Sequence, residues 1–305
     1  VIASQAQKLI AGIRKFFGSS NAGRGAVSVS AISSARYTAD APNGDFFAPQ
    51  FNAATWSGTV VRSALVLNTT TGTVESSPNV IWNAGAILTT ASNAAGTGTL
   101  SDPYVRPADR KIVTMATVGN ATTGMLFNVA NKGQFDSEVL TALNTNPQSG
   151  ATDNLSDQRI NWLRGDHAYE LTSSGGAFRR RTDEMSGMGD VINSGPVYKQ
   201  AADPRLSGPG YLAFAQSVVN RGAVIYVGAN DGMMHAFRAS DRKELFAYIP
   251  RAVAPYLNKL THPNYIHRPY VDGVPQVGEA QVGSNWKTLL VSGMGGGAQG
   301  IFALD

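Results

Sequence analysis

The chain has 305 residues, 43% hydrophobic and only 15% charged, with 33 glycines and a formal net charge of +4 from 25 basic and 21 acidic side chains. That length supports one large β domain or two ordinary ones, and the abundance of Gly, Ser, Thr and Asn favours short strands joined by tight turns. The positive excess is too dilute to argue for nucleic acid, zero cysteines exclude disulfides, thiolate metal sites and cysteine nucleophiles, and no apolar run approaches the ~20 residues that cross a bilayer.

The chain opens on Val1 without the basic start and cleavage site of a signal peptide, and reads as an internal fragment. Ile2, Ala6, Leu9, Ile10, Ile13, Phe16 and Phe17 recur at three- and four-residue steps, which predicts an N-terminal helix over 1–17, ended by Gly18 and packed on a preceding domain. A linker follows, with a short strand over 26–32. Strands are predicted at 59–67, 80–88 and 111–116, with an exposed loop over 89–107. Phe135, Val139, Leu140 and Leu143 sit at helical spacing, and a second helix is predicted over 156–163 with Ser156 capping its start.

In the last third, 224–227, the Asn230-Asp231-Gly232 turn and 233–237 predict a hairpin, with Tyr226 and Phe237 buried and Asp231-Gly232 at an exposed turn. A strand over 243–249 comes next. Residues 288–291, the glycine turn 293–297 and 301–304 repeat the plan, which suggests radially arranged blades. The predicted fold is mainly β: a partial β-propeller with quinoprotein-like blades, preceded by an N-terminal helix and a β-rich segment. Its divisions are 1–36 (helix and linker), 37–183 (β-rich segment with a helical insertion) and 184–305 (first part of the propeller).

The run Gly189-Asp190-Val191-Ile192-Asn193-Ser194-Gly195-Pro196-Val197 is followed by VIYVGANDGMMHAF at 224–237, by Glu244-Leu245-Phe246-Ala247-Tyr248-Ile249-Pro250, and by Tyr270-Val271-Asp272-Gly273. With 286–291 and Phe302-Ala303-Leu304-Asp305, these stretches resemble in order and spacing the propeller of the PilC/PilY family of type IV pilus tip-associated proteins. Upstream, Phe51-Asn52, Trp56-Ser57-Gly58 and Trp82-Asn83-Ala84 resemble the family's segment after its von Willebrand A-like domain, and 161–166 its link into the propeller. The likeness spans 46–305. Gly195, Arg238 and Met294-Gly295-Gly296-Gly297 depart from the family pattern as ordinary drift.

The resemblance implies a non-enzymatic pilus biogenesis factor and tip adhesin, exported to the cell surface. Its implied partners are minor pilins and a host or abiotic surface, with no nucleic acid and no membrane span. It also implies calcium, bound by an acidic loop beyond Asp305. No stretch of this chain alternates Asp and Asn as a calcium loop requires, so no metal, cofactor or catalytic residue is assigned. Two other functions stay open: a quinoprotein-type propeller dehydrogenase, for which a catalytic acid cluster and a cysteine pair are missing, and a generic ligand-binding propeller scaffold.

Several residues invite a sharper reading. Arg164-Gly165-Asp166 is the integrin-recognition tripeptide, a possible receptor motif, yet its place after Trp162 and Leu163 at a helix end favours a helix stop with local charge anchors. His262 and His267 offer two metal ligands, too few for a structural site. His235 is expected as a packed residue between blades, and Asp231 and Asp272, each before a glycine, as hairpin-turn residues. Arg179-Arg180-Arg181, followed by Asp183 and Glu184, reads as a locally neutralised surface turn, the other possibility being a polyanion site.

Overall fold

The computed structural model describes residues 44–89, 105–119, 121–171, 175–181 and 187–305, together with the backbone of Arg24–Gly25 and Ala31–Ile32. The expected helix over 1–17, and most of the expected strand at 26–32 and loop at 89–107, lie outside the described residues. The architecture is mainly β, three sheets in sequence along the chain.

The first sheet contains β1 (Arg24–Gly25), β2 (Ala31–Ile32), β3 (Asp45–Asn52), β4 (Ser57–Asn68) and β5 (Thr73–Asn83), in the order β1-β3-β4-β5 with β2 also on β3. The strand predicted over 80–88 stops at Asn83 and gives way to α1 (Ala84–Thr89). The cause is a cap: Asn83 Oδ1 accepts the Ala86 N–H at 2.9 Å, and Thr59 Oγ1 accepts the Gly85 N–H at 2.7 Å, satisfying amides a new helix leaves open.

The second sheet is assembled from β6 (Ile112–Val118), β7 (Ala121–Leu126), β8 (Val197–Lys199), β9 (Val224–Ala229), β10 (Met233–Arg238) and β11 (Glu244–Ile249), in the order β7-β6-β11-β10-β9-β8. Here β6 runs parallel to β11, pairing Ile112 with Ala247. This sheet therefore draws strands from both sides of residue 184. The third sheet holds β12 (Gln276–Val282), β13 (Asn285–Gly293) and β14 (Ile301–Leu304).

Side-chain alternation on β9 and β10 explains the stacking. Ile225, Val227, Ala229 and Phe237 point to one face and meet Phe47, Val60, Trp82, Ile87 and Leu88 of the first sheet and α1. Met234 and Tyr248 point to the other, where Tyr248 packs on Phe302 of β14 at 5.1 Å between ring centres. Phe237 is fully buried as expected, whereas Tyr226 is half-buried.

Two short helices, α2 (Ser137–Leu143) and α3 (Ser156–Leu163), close one end with Val139, Leu143, Ile160, Trp162 and Leu163 in the main core. α3 has the predicted bounds, but Ser156 does not cap it: the cap position is Leu155, and the Ser156 N–H is met by Asn144 Oδ1 at 3.3 Å. A further helix, α4 (Tyr211–Ser217), leads into β9, and its Tyr211 packs on Trp286 of β13.

Candidate functional site

The polar residues of the sequence motifs converge where the first sheet meets the turn between β9 and β10. The segment 188–194 threads this junction. Met188 O accepts the Gly58 N–H at 3.0 Å, and the Gly189 N–H donates to Asp231 Oδ2 at 3.1 Å. Position 189 admits only glycine, because a Cβ there would lie 2.2 Å from Asp231 N. Asp190 accepts from Asn230 Nδ2 at 2.6 Å and meets His267 Nε2 at 2.9 Å, Asn193 donates to Asp272 Oδ2 at 2.7 Å, and Ser194 Oγ accepts the Gly228 N–H at 2.9 Å. His267 in turn stacks on Trp56, 3.8 Å between ring centres.

Two turn assignments change as a result. The Asp231-Gly232 turn does close the β9–β10 hairpin, but it is covered: Asn230 is buried, Gly232 is buried under Leu257, and Asp231 is partly buried. Asp272-Gly273 is not a hairpin turn. Asp272 is buried, and its carboxylate holds Asn193 rather than its own turn.

Asp231, itself partly buried, also begins a chain of charged groups that runs into the interior. Its carboxylate meets His235 Nε2 at 3.0 Å, His235 Nδ1 meets Glu244 Oε1 at 2.9 Å, and Arg110 donates to both Glu244 oxygens at 2.6 and 2.8 Å. A β-bulge makes the middle link: Ala236 faces Phe246 but Phe237 faces Glu244, which puts Glu244 on the side of the sheet that carries His235. Burial disfavours charge on both groups. The Arg110 guanidinium and the His235 hydrogen bond outweigh it for Glu244, whose carboxyl is brought down to about 2. For His235 the Asp231 and Glu244 carboxylates outweigh it, and the imidazole is pushed up to about 9. His235 is thus a packed residue, as expected, with its charged form favoured by the two carboxylates beside it.

The tripeptide lies directly beneath. Arg164 is only 4% exposed, and its guanidinium donates to the carbonyls of Phe127, Ala108 and Arg110, each at 2.8 Å. Burial and then repulsion from Arg110 lower its pKa to about 10. Gly165 is buried with φ of 110°, a backbone that favours glycine, and accordingly ends α3. Asp166 is half-buried, and its carboxylate accepts the Ala168 N–H at 2.8 Å.

The arginine run also departs from the expected surface turn. Arg180 is exposed, but Arg181 is nearly buried: it pairs with Glu170 at 2.7 Å, donates to the Trp162 and Asp166 carbonyls, and lies 4.2 Å over the Trp162 ring. Arg179 lies 4.2 Å over Tyr265 and 5.6 Å from Trp162. His262 Nδ1 accepts the Asn264 N–H while His267 is held by Asp190, so the two do not converge. Among the described residues no group of three or more His, Asp or Glu side chains is placed to hold a metal ion.

Sequence reasoning missed Arg110 and Glu244. The available signal was a histidine and a glutamate in an otherwise apolar pair of strands, His235 and Glu244, with Asp231 four residues earlier.

Comparison with known proteins bears on the whole arrangement. Residues 188–305 match the model of the PilY1 beta-propeller domain. The chain is similar to a type IV pilus biogenesis factor PilY1 homolog of Xylella fastidiosa, 41% identical over 61% of this chain and 14% of that protein. It is also similar to the type IV pilus biogenesis factor PilY1 of Pseudomonas aeruginosa strain PAK, 34% identical over 82% of this chain and 20% of that protein. The crystal structure of the Pseudomonas aeruginosa PilY1 C-terminal domain is 36% identical where matched, covering 35% of this chain and 22% of that one with a TM-score of 0.28. The chain thus spans a fifth or less of these curated relatives. No described helix is long and apolar enough to cross a membrane. The family-model match over 188–305 and the identities over 61% and 82% of this chain support a PilY1-family protein.

Proposed function

We propose that this chain serves as a non-enzymatic part of a type IV pilus biogenesis factor at the cell surface, supporting pilus assembly and surface attachment through minor pilins and a host or abiotic surface. The observation that carries the reading is the match of 188–305 to the PilY1 propeller, joined to relatives named type IV pilus biogenesis factors. A non-catalytic role is supported by the state of the clustered polar groups. Asp231, His235, Glu244 and Arg110 satisfy one another in a buried chain, where a general acid or base needs a poised group facing substrate. Arg164-Gly165-Asp166 is proposed as a structural anchor, since its guanidinium holds three carbonyls of the neighbouring segments. Calcium is proposed to bind an acidic loop beyond Asp305.

The test is deletion of the gene in its own cell and counting of surface pili by electron microscopy and shearing. Loss of pili, restored by the wild-type gene, is expected, and unchanged piliation would refute the assembly role. Attachment is scored separately in strains that retain pili. In parallel, purified protein supplied with pyrroloquinoline quinone and calcium should not reduce dye acceptors with alcohols or sugars. Quinone-dependent turnover would overturn the non-enzymatic reading.

A further inference from the structure

A cleft of about 500 Å³ opens where the end of β11 meets the loop between β13 and β14. Tyr248 and Pro250 line it from the strand end, Pro255 and Tyr256 from a 3-10 helix over Ala254–Thr261, and Ile301 and Phe302 from β14. Its shape is fixed by the fold. Proline sets the backbone at 250 and 255. The Tyr256 ring carries Arg268 at 4.5 Å, and its carbonyl accepts from the Tyr270 hydroxyl at 3.0 Å. Tyr248 and Phe302 meet at 5.1 Å between ring centres with their planes inclined by 49°, which makes an angled aromatic corner.

Two polar groups on this lining are left without partners. Tyr248 is only 5% exposed, yet its hydroxyl makes no hydrogen bond with any described residue, and burial is the one influence that raises its pKa. A tyrosine hydroxyl so placed ordinarily finds a partner, and this one is not sealed off from the cleft that its side chain lines. The second group is a carboxylate. Of the two charged residues on the lining, Arg251 is paired with Asp136 at 2.7 Å, whereas Glu138 is exposed and has no ion-pair partner among the described residues.

Ring faces, a free hydroxyl donor and one uncompensated carboxylate match a particular kind of ligand. A polyproline helix has no internal hydrogen bonds, so its carbonyls are open to a donor, and proline brings no N–H that the site would have to accept. It is also ordered before it binds, and aromatic-lined grooves take it for that reason. At 3.1 Å per residue, about three residues span roughly 9 Å, a length that a cleft of this volume accommodates.

We propose that this cleft binds a proline-rich segment of a partner protein that carries a lysine or arginine. The prolines pack on Tyr248, Tyr256 and Phe302, a peptide carbonyl accepts the Tyr248 hydroxyl, and the cation meets Glu138. The inference does not depend on a role in pilus assembly.

The experiment titrates the whole chain by calorimetry with a blocked pentapeptide, four prolines around a central lysine, and with its twin in which alanines replace the prolines. The proline peptide should bind about tenfold more tightly than the alanine twin or better. Replacing its lysine by glutamine should weaken binding about two- to fivefold, the scale of an exposed ion pair, and Glu138→Gln should remove that difference. Tyr248→Phe, which keeps the ring and loses only the hydroxyl, should weaken the proline peptide about fivefold. Equal binding of the proline and alanine peptides by the wild type, or no binding of either, would overturn the proposal, whether or not the variants fold. Folded Tyr248→Phe protein that binds the proline peptide as tightly as the wild type would overturn it as well.

Discussion

The β9–β10 hairpin is covered on both faces, and its strands are almost wholly buried, including a fully buried His235. The β13–β14 hairpin follows the same strand, glycine turn and strand plan, yet Val291 is exposed and Ile301 is 81% exposed. Similar sequence patterns thus lead to different energetics. In the second sheet, burial on both sides forces every polar group to find a partner, and the partners come from distant segments. In the third sheet the backbone ladder and one apolar face carry the structure, and the outer face adds little.

The sharpest way to break the contrast is Glu244→Ala. It leaves Arg110 and His235 buried without their shared anion, a loss of about 3–5 kcal/mol. Chemical denaturation should show a large fall in midpoint, or no folded protein. A loss below ~1 kcal/mol would mean that the buried chain is not what holds the second sheet.

Titration gives the next largest effect. The His235 contribution is complete below its ordinary value near 6.5 and is lost as pH rises towards about 9; the Glu244 contribution is complete above its ordinary value near 4.5 and is lost as pH falls towards about 2. Stability from this chain should therefore be greatest between about pH 4.5 and 6.5 and fall by on the order of 2–3 kcal/mol between 6.5 and 9. Denaturation midpoints across that range measure it, and a midpoint constant or rising with pH would contradict it.

Asp166→Ala should cost about 1 kcal/mol, since one half-buried carboxylate loses one backbone N–H. Melting curves beside attachment to integrin-bearing and integrin-null cells separate the roles. An unchanged melt with attachment lost only on integrin-bearing cells would show a receptor contact. Smallest of all, Ile301→Ser on the third sheet should change stability by less than ~0.5 kcal/mol, because the side chain it alters is already in solvent. A larger effect would show that the outer face of that sheet is covered in solution.

What the sequence made legible was local. The hairpin over 224–237, the helix over 156–163 and the mainly β class follow from spacing and turn residues within a few positions of each other. The extra helix at 84–89 was hidden because its start is set by side-chain caps from Asn83 and Thr59, the latter 26 residues from the amide it meets. The junction was recognisable as a motif but not as a set of contacts: Asp231 looks like a turn residue until Gly189, 42 residues earlier, is seen to donate to it. Arg110 carried no local signal at all, since its partner Glu244 is 134 residues away.

The parallel pairing of β6 with β11 has a kinetic consequence. Thr114 hydrogen-bonds Ile249, 135 positions further along the chain, so the second sheet cannot be completed until nearly all of the chain between them is available. The β6–β7 and β9–β10 hairpins are local and can form early, on a timescale of ~1–10 μs. Their joining must wait for closure of the long loop, which makes it the slow event. During synthesis from the N-terminus, the side of β6 that will meet β11 therefore stands as an open edge able to recruit another strand. The exposed ladder of a waiting half-sheet is where a chaperone, or a second copy of the chain, would find its grip.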